Sequence, residues 1–161
     1  MGAELGHFAL ILALVIALAQ SIIPFAGAMR RDDRLMAVAG PAAVTQFLLI
    51  GISFALLVNA YVLSDFSVLN VAENSHSAKP LLYKVTGVWG NHEGSMLLWV
   101  HILALFGAAV AVFGNNLPTS MKATVLSVQA SIAFAFPRSS VSFAVPVACN
   151  PGPTCASAIV P

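Results

Sequence analysis

Charge is what this sequence has least of. Asp, Glu, Lys and Arg fill only 8% of its 161 positions, where a soluble domain carries roughly 25%. So few charges cannot coat a water-facing surface, and a mean hydropathy of +0.91 excludes the same class. The net charge of +1 supplies no basic field for nucleic acid. Cysteine is scarce as well. Cys149 and Cys155 form a C-x5-C spacing that matches no zinc or thioredoxin pattern, and no C-x-x-C-H haem attachment site exists. His92-Glu93 begins like the metalloprotease H-E-x-x-H, but Met96 stands where the second histidine would have to be. No metal-ligand set is therefore expected.

What the chain has instead is long apolar runs. Residues 5–29, 35–64 and 94–121 contain no Asp, Glu, Lys or Arg. About 20 apolar residues cross ~30 Å of hydrocarbon at 1.5 Å per residue, and each run is long enough. The expected fold is an all-α membrane protein of three to four transmembrane helices, at about 7–28, 41–63, 95–113 and a short 123–136. Arg30, Arg31 and Arg34 sit between the first two runs. The positive-inside rule makes that link cytoplasmic, and so puts the amino terminus and the 64–91 loop on the outer side. The first run is not read as a cleaved signal peptide: its n-region holds Glu4 and no basic residue, and its apolar stretch is too long.

Polar residues inside the runs have bland explanations. Pro24 removes a backbone donor from the first helix. Gln46 and Ser53 lie seven apart on nearly one face of the second, and Ala104 and Ala108 four apart on the third, as helix packing in a membrane favours. His101, nine residues beyond His92, faces the opposite side of its helix, and a lone membrane histidine is read as a packing residue. The pattern fails after Lys122. An apolar stretch at 123–136 stops at Pro137, and residues 137–161 hold five of the nine prolines and both cysteines. That Pro/Ser-rich tail is expected to be disordered.

The densest cluster of reactive side chains closes the outer loop. Trp89, Gly90, Asn91, His92, Glu93, Gly94, Ser95 and Trp99 bring aromatic, imidazole and carboxylate groups to the start of the third long helix. Two glycines permit a tight turn, and Glu93 would meet the positive end of the helix dipole. A loop of this kind suits a flat cofactor, because indoles stack on a porphyrin and Lys79, Lys84 or His92 can approach its propionates or iron. Trp, Tyr and Lys also serve as plain interfacial anchors.

The stretches ELGHFALILAL (residues 4–14), SDFSVLNVAENS (64–75) and KPLLYKVTGVWGNHEGSMLLW (79–99) resemble the amino-terminal part of the CcmF-type haem lyases, over roughly residues 1–133. The resemblance implies a many-spanning subunit of cytochrome c maturation in the bacterial inner membrane. Such a subunit takes haem from a haem chaperone and helps attach it to apocytochrome c on the periplasmic side, with quinol as a further expected cofactor. Trp89, His92, Glu93, Ser95 and Trp99 become the candidate cofactor-binding residues. The family's tryptophan-rich segment and haem-ligating histidines have no counterpart here, and the tail departs from the family after about Phe134. The chain is accordingly expected to be an incomplete, inactive, frameshifted or truncated piece. Two other functions fit the residues: a non-catalytic membrane scaffold, and a quinone-interacting redox subunit using Glu93 and His92.

Overall fold

The computed structural model describes residues 2–65, 68–76, 79–114 and 116–135. The tail expected to be disordered, with Cys149 and Cys155, lies outside the described residues.

Every regular element among them is helical. Helix α1 (Gly2–Arg30) carries Glu4 in its first turn and Arg30 in its last, each opposite in sign to the dipole end it meets. The chain reverses at Arg31, whose φ of 54° is left-handed, and Asp32 donates its N–H to the Gly27 carbonyl at 3.0 Å. Asp32 then caps α2 (Asp33–Ala37), its carboxylate accepting the Arg34 N–H at 3.0 Å. Gly27 is needed here because a Cβ would lie 2.7 Å from that of Leu35.

Helix α3 (Ala39–Leu63) returns antiparallel to α1 and ends at Ser64, again left-handed. Two short helices follow, α4 (Leu69–Asn74) and α5 (Leu81–Gly90), where the sequence suggested only a loop. Helix α6 (His92–Phe113) crosses back, and α7 (Thr119–Ala135) turns against it. Three helical stretches, Glu4–Arg30, Asp33–Leu63 and Gly94–Phe113, are long and apolar enough to cross a membrane. Helix α7 begins earlier than the apolar run implied. Lys122 belongs to its first turn and donates to the Ala111 carbonyl at 2.7 Å, which satisfies an open carbonyl near the end of α6.

The core lies where α1, α3, α6 and α7 meet. It is built from small and branched side chains: Leu10, Ala13, Ile50, Leu57, Leu97, Val100, Ala104 and Ala133. Alanines let the backbones approach, which in lipid replaces the hydrophobic drive for association. Polar ties add specificity. Buried Gln20 donates to the Leu126 carbonyl at 3.2 Å, and Gln129 to that of Leu103 at 3.0 Å. His101 packs as a core ring, stacked between Phe47 and Phe54 at centroid distances of 5.1 and 5.9 Å. Gly51 makes room for it, since a Cβ there would lie 3.2 Å from the imidazole.

This topology puts the arginine turn and the α6–α7 turn at one end of the bundle. The ends of α3 and α5 and the start of α6 gather at the other.

Candidate functional site

The turn between α5 and α6 is held by one residue. Asn91 is extended (φ −107°, ψ 163°) and terminates α5 while capping α6. Its Oδ1 accepts the Gly94 N–H at 2.6 Å. Its Nδ2 donates in the opposite direction, to the Tyr61 hydroxyl at 2.7 Å and to Asn70 Oδ1 at 2.9 Å. Tyr61, fully buried in the last turns of α3, donates its own hydroxyl to Asn70 Oδ1 at 2.5 Å. Asn70, on α4, is equally buried. Three side chains from separate elements thus share a single polar node, and in a low-dielectric surrounding each bond is strengthened by the others.

Backbone packing tightens the same corner. Gly94 lies so close to the carbonyl of Val88 that a Cβ would sit 1.7 Å from its oxygen. Ser95 Oγ donates to the Trp89 carbonyl at 2.6 Å. Gly87 meets the Tyr61 ring, and Lys84 Nζ donates to Ser64 Oγ at 2.7 Å.

On this frame the sequence-derived candidates divide into two groups. Ser95 and Trp89 are joined directly by their hydrogen bond. His92 opens α6, so His92, Met96 and Trp99 fall at i, i+4 and i+7 on one helix face. His92 and Trp99 are exposed. Glu93 is the second residue of α6; its side chain lies outside the described part of the molecule. Met96, Trp99, Val100 and Leu103 border an apolar hollow of about 320 Å³ beside this face. A hollow with an exposed indole at its rim, and an exposed imidazole one turn before Met96 on the same helix face, suits the flank of a flat apolar ring. Among the described residues, no group of three or more His, Cys, Asp or Glu side chains could hold a metal ion.

Tyr61 and Asn70 are the residues that sequence reasoning missed. Asn91 carries a legible signal, an Asn directly ahead of an apolar run. Nothing in spacing ties it to a tyrosine 30 residues earlier.

No family model matches the chain. The cytochrome c-type biogenesis protein CycK of Bradyrhizobium diazoefficiens is 68% identical over 136 residues, which are 84% of this chain and 21% of that protein. The cytochrome c-type biogenesis protein ccl1 of Rhodobacter capsulatus is 63% identical over 133 residues, 83% of this chain and 20% of its own length. A solved cytochrome c haem lyase CcmF superposes with a TM-score of 0.82 at 27% identity, over 91% of this chain and 24% of that one. The chain belongs to the CcmF-type family. This CcmF-type chain spans about a fifth of the length of the curated relatives it matches.

Proposed function

We propose that the CcmF-type chain serves cytochrome c maturation as the amino-terminal part of a membrane haem-delivery machine. The observation that carries this is the 68% identity, over 84% of the chain, with a protein named for cytochrome c-type biogenesis. In this reading the arginine turn faces the cytoplasm, and the Trp89–Trp99 corner faces the periplasm of a bacterial inner membrane. Trp89, His92, Glu93, Ser95 and Trp99 shape the surface past which haem travels to the thiols of apocytochrome c. Its partners are a haem chaperone, apocytochrome c and the remaining helices of the maturation machine. When bound, the haem supplies the vinyl groups to which those thiols add. The chain's own residues orient and shield it: Trp99 and the neighbouring hollow offer an apolar flank, and His92 a polar edge.

Split complementation tests this. A strain whose CcmF-type protein lacks the matching amino-terminal fifth is supplied with the 161-residue chain as a separate polypeptide. Restoration of haem-stained c-type cytochromes is expected with the chain present, and a strong reduction with Asn91→Ala, which releases the corner. If the chain inserts and co-purifies with the remainder yet restores no cytochrome, the proposal fails.

A further inference from the structure

Helix α5 is inside out for a helix bathed in water. Its one charged side chain, Lys84, turns inward to bond Ser64. Its outward face carries Leu82 at 71%, Tyr83 at 64% and Trp89 at 41% exposure, with Leu81 at its edge. Leu82, Thr86 and Trp89 fall at i, i+4 and i+7, so they form one stripe. Thr86 is the sole hydroxyl on that stripe, and it is satisfied within the helix by donating to the Leu82 carbonyl at 3.0 Å. Apart from the Tyr83 hydroxyl and the Trp89 indole N–H, the outward face is apolar. Water would favour the reverse arrangement, with the lysine outside and the leucines against Val88, the fully buried side of the helix.

We propose that the outward face of α5 is a lipid-binding surface that embeds in the boundary of the membrane leaflet at this end of the bundle. Three features point to lipid as the occupant. Helix α5 packs on the ends of α3 and α6 through Tyr61 and Gly94, and both of those membrane-length helices carry exposed apolar side chains there, Leu63 at 69% and Trp99 at 68% exposure. Its composition, Leu with Tyr and Trp, is that of interfacial anchors, whose rings keep a polar edge at headgroup level. Lys79, exposed just ahead of α5, flanks it with the positive charge that anionic headgroups attract. The consequence goes beyond the haem-delivery reading and does not depend on it. The corner built on Asn91 is held at the lipid–water boundary, so whatever it meets arrives from the membrane surface.

Only two tryptophans are present in the chain, which makes the test direct. Trp99→Phe leaves Trp89 as the single reporter. The full chain is placed in vesicles of phosphatidylcholine and phosphatidylglycerol, with acyl chains brominated either near the headgroup or deeper. The expected result is roughly twofold quenching of Trp89 by the shallow bromines, less by the deep ones, and little by aqueous iodide. Iodide quenching without bromolipid quenching would put the face in water and overturn the proposal. Resistance to both would mean that protein covers it, and would overturn it equally. Should Trp99→Phe fail to fold, Leu82→Trp with Trp89→Phe and Trp99 retained reports on the same stripe, because the Leu82→Trp increment is read against Trp89→Phe alone.

Discussion

At the scale of single residues, the corner at Asn91 depends on two unforgiving positions. Gly94 has the Val88 carbonyl where a Cβ would go, and a backbone oxygen cannot step aside as a side chain can. Gly94→Ala is expected to destabilise the chain by about 1–3 kcal/mol, toward the upper end because backbone must move. Gly90→Ala, four residues earlier, would place its methyl group with nothing within 4 Å, and is expected to stay within about 0.5 kcal/mol. Unfolding in detergent, followed by circular dichroism, compares the two; equal losses would contradict the close approach. Asn91→Asp probes the polar node. The new carboxylate still accepts the Gly94 N–H, but it has no hydrogen to give Tyr61 or Asn70. A near-isosteric change is then expected to destabilise by about 1–3 kcal/mol, through buried acceptors left facing each other. The W-G-N-H-E-G motif was plain in the sequence, and so were its glycines. The node was not, because Tyr61 and Asn70 are ordinary polar residues until folding brings them to Asn91.

At the scale of elements, run length alone located the three long helices, since an apolar stretch of that size in a membrane has no other way to satisfy its backbone. The short helices were hidden for the opposite reason. Helix α5 is only ten residues long, shorter than the roughly 11–18 residues over which a helical period can be read. The start of α7 was obscured by Lys122, whose charge reads as loop until its bond to the Ala111 carbonyl is seen. Packing between α6 and α7 makes a sharper test. A Cβ on Gly107 would lie 2.0 Å from the Gln129 side chain, whose amide bonds the Leu103 carbonyl. Gly107→Ala should displace that amide and lose about 1 kcal/mol, the usual worth of such a bond between membrane helices. In a Gln129→Ala background the same change should lose much less. A double-mutant cycle measures the difference, and strict additivity would show that the two residues do not meet.

At the scale of the whole molecule, one arrangement governs every functional statement about the corner: which side of the membrane it occupies. The helix order gathers Arg30, Arg31 and Arg34 at the end opposite His92. In a membrane carrying a potential, retaining that cluster in the cytoplasm sends α6 outward at its amino end. Gly90 is the position to probe, because it is exposed and open, and a side chain there meets nothing. With Cys149 and Cys155 replaced by serine, Gly90→Cys should react with a membrane-impermeant maleimide applied to intact cells whose outer membrane has been made permeable. Asp33→Cys, exposed in the arginine turn, should react only after lysis. Reversed labelling would move the corner to the cytoplasm and contradict the proposed outer-side role, whatever the family relationship. Neutralising the three arginines to glutamine should blur the pattern, with both positions labelling in part, because the remaining charges hold too weak a bias to orient the first hairpin.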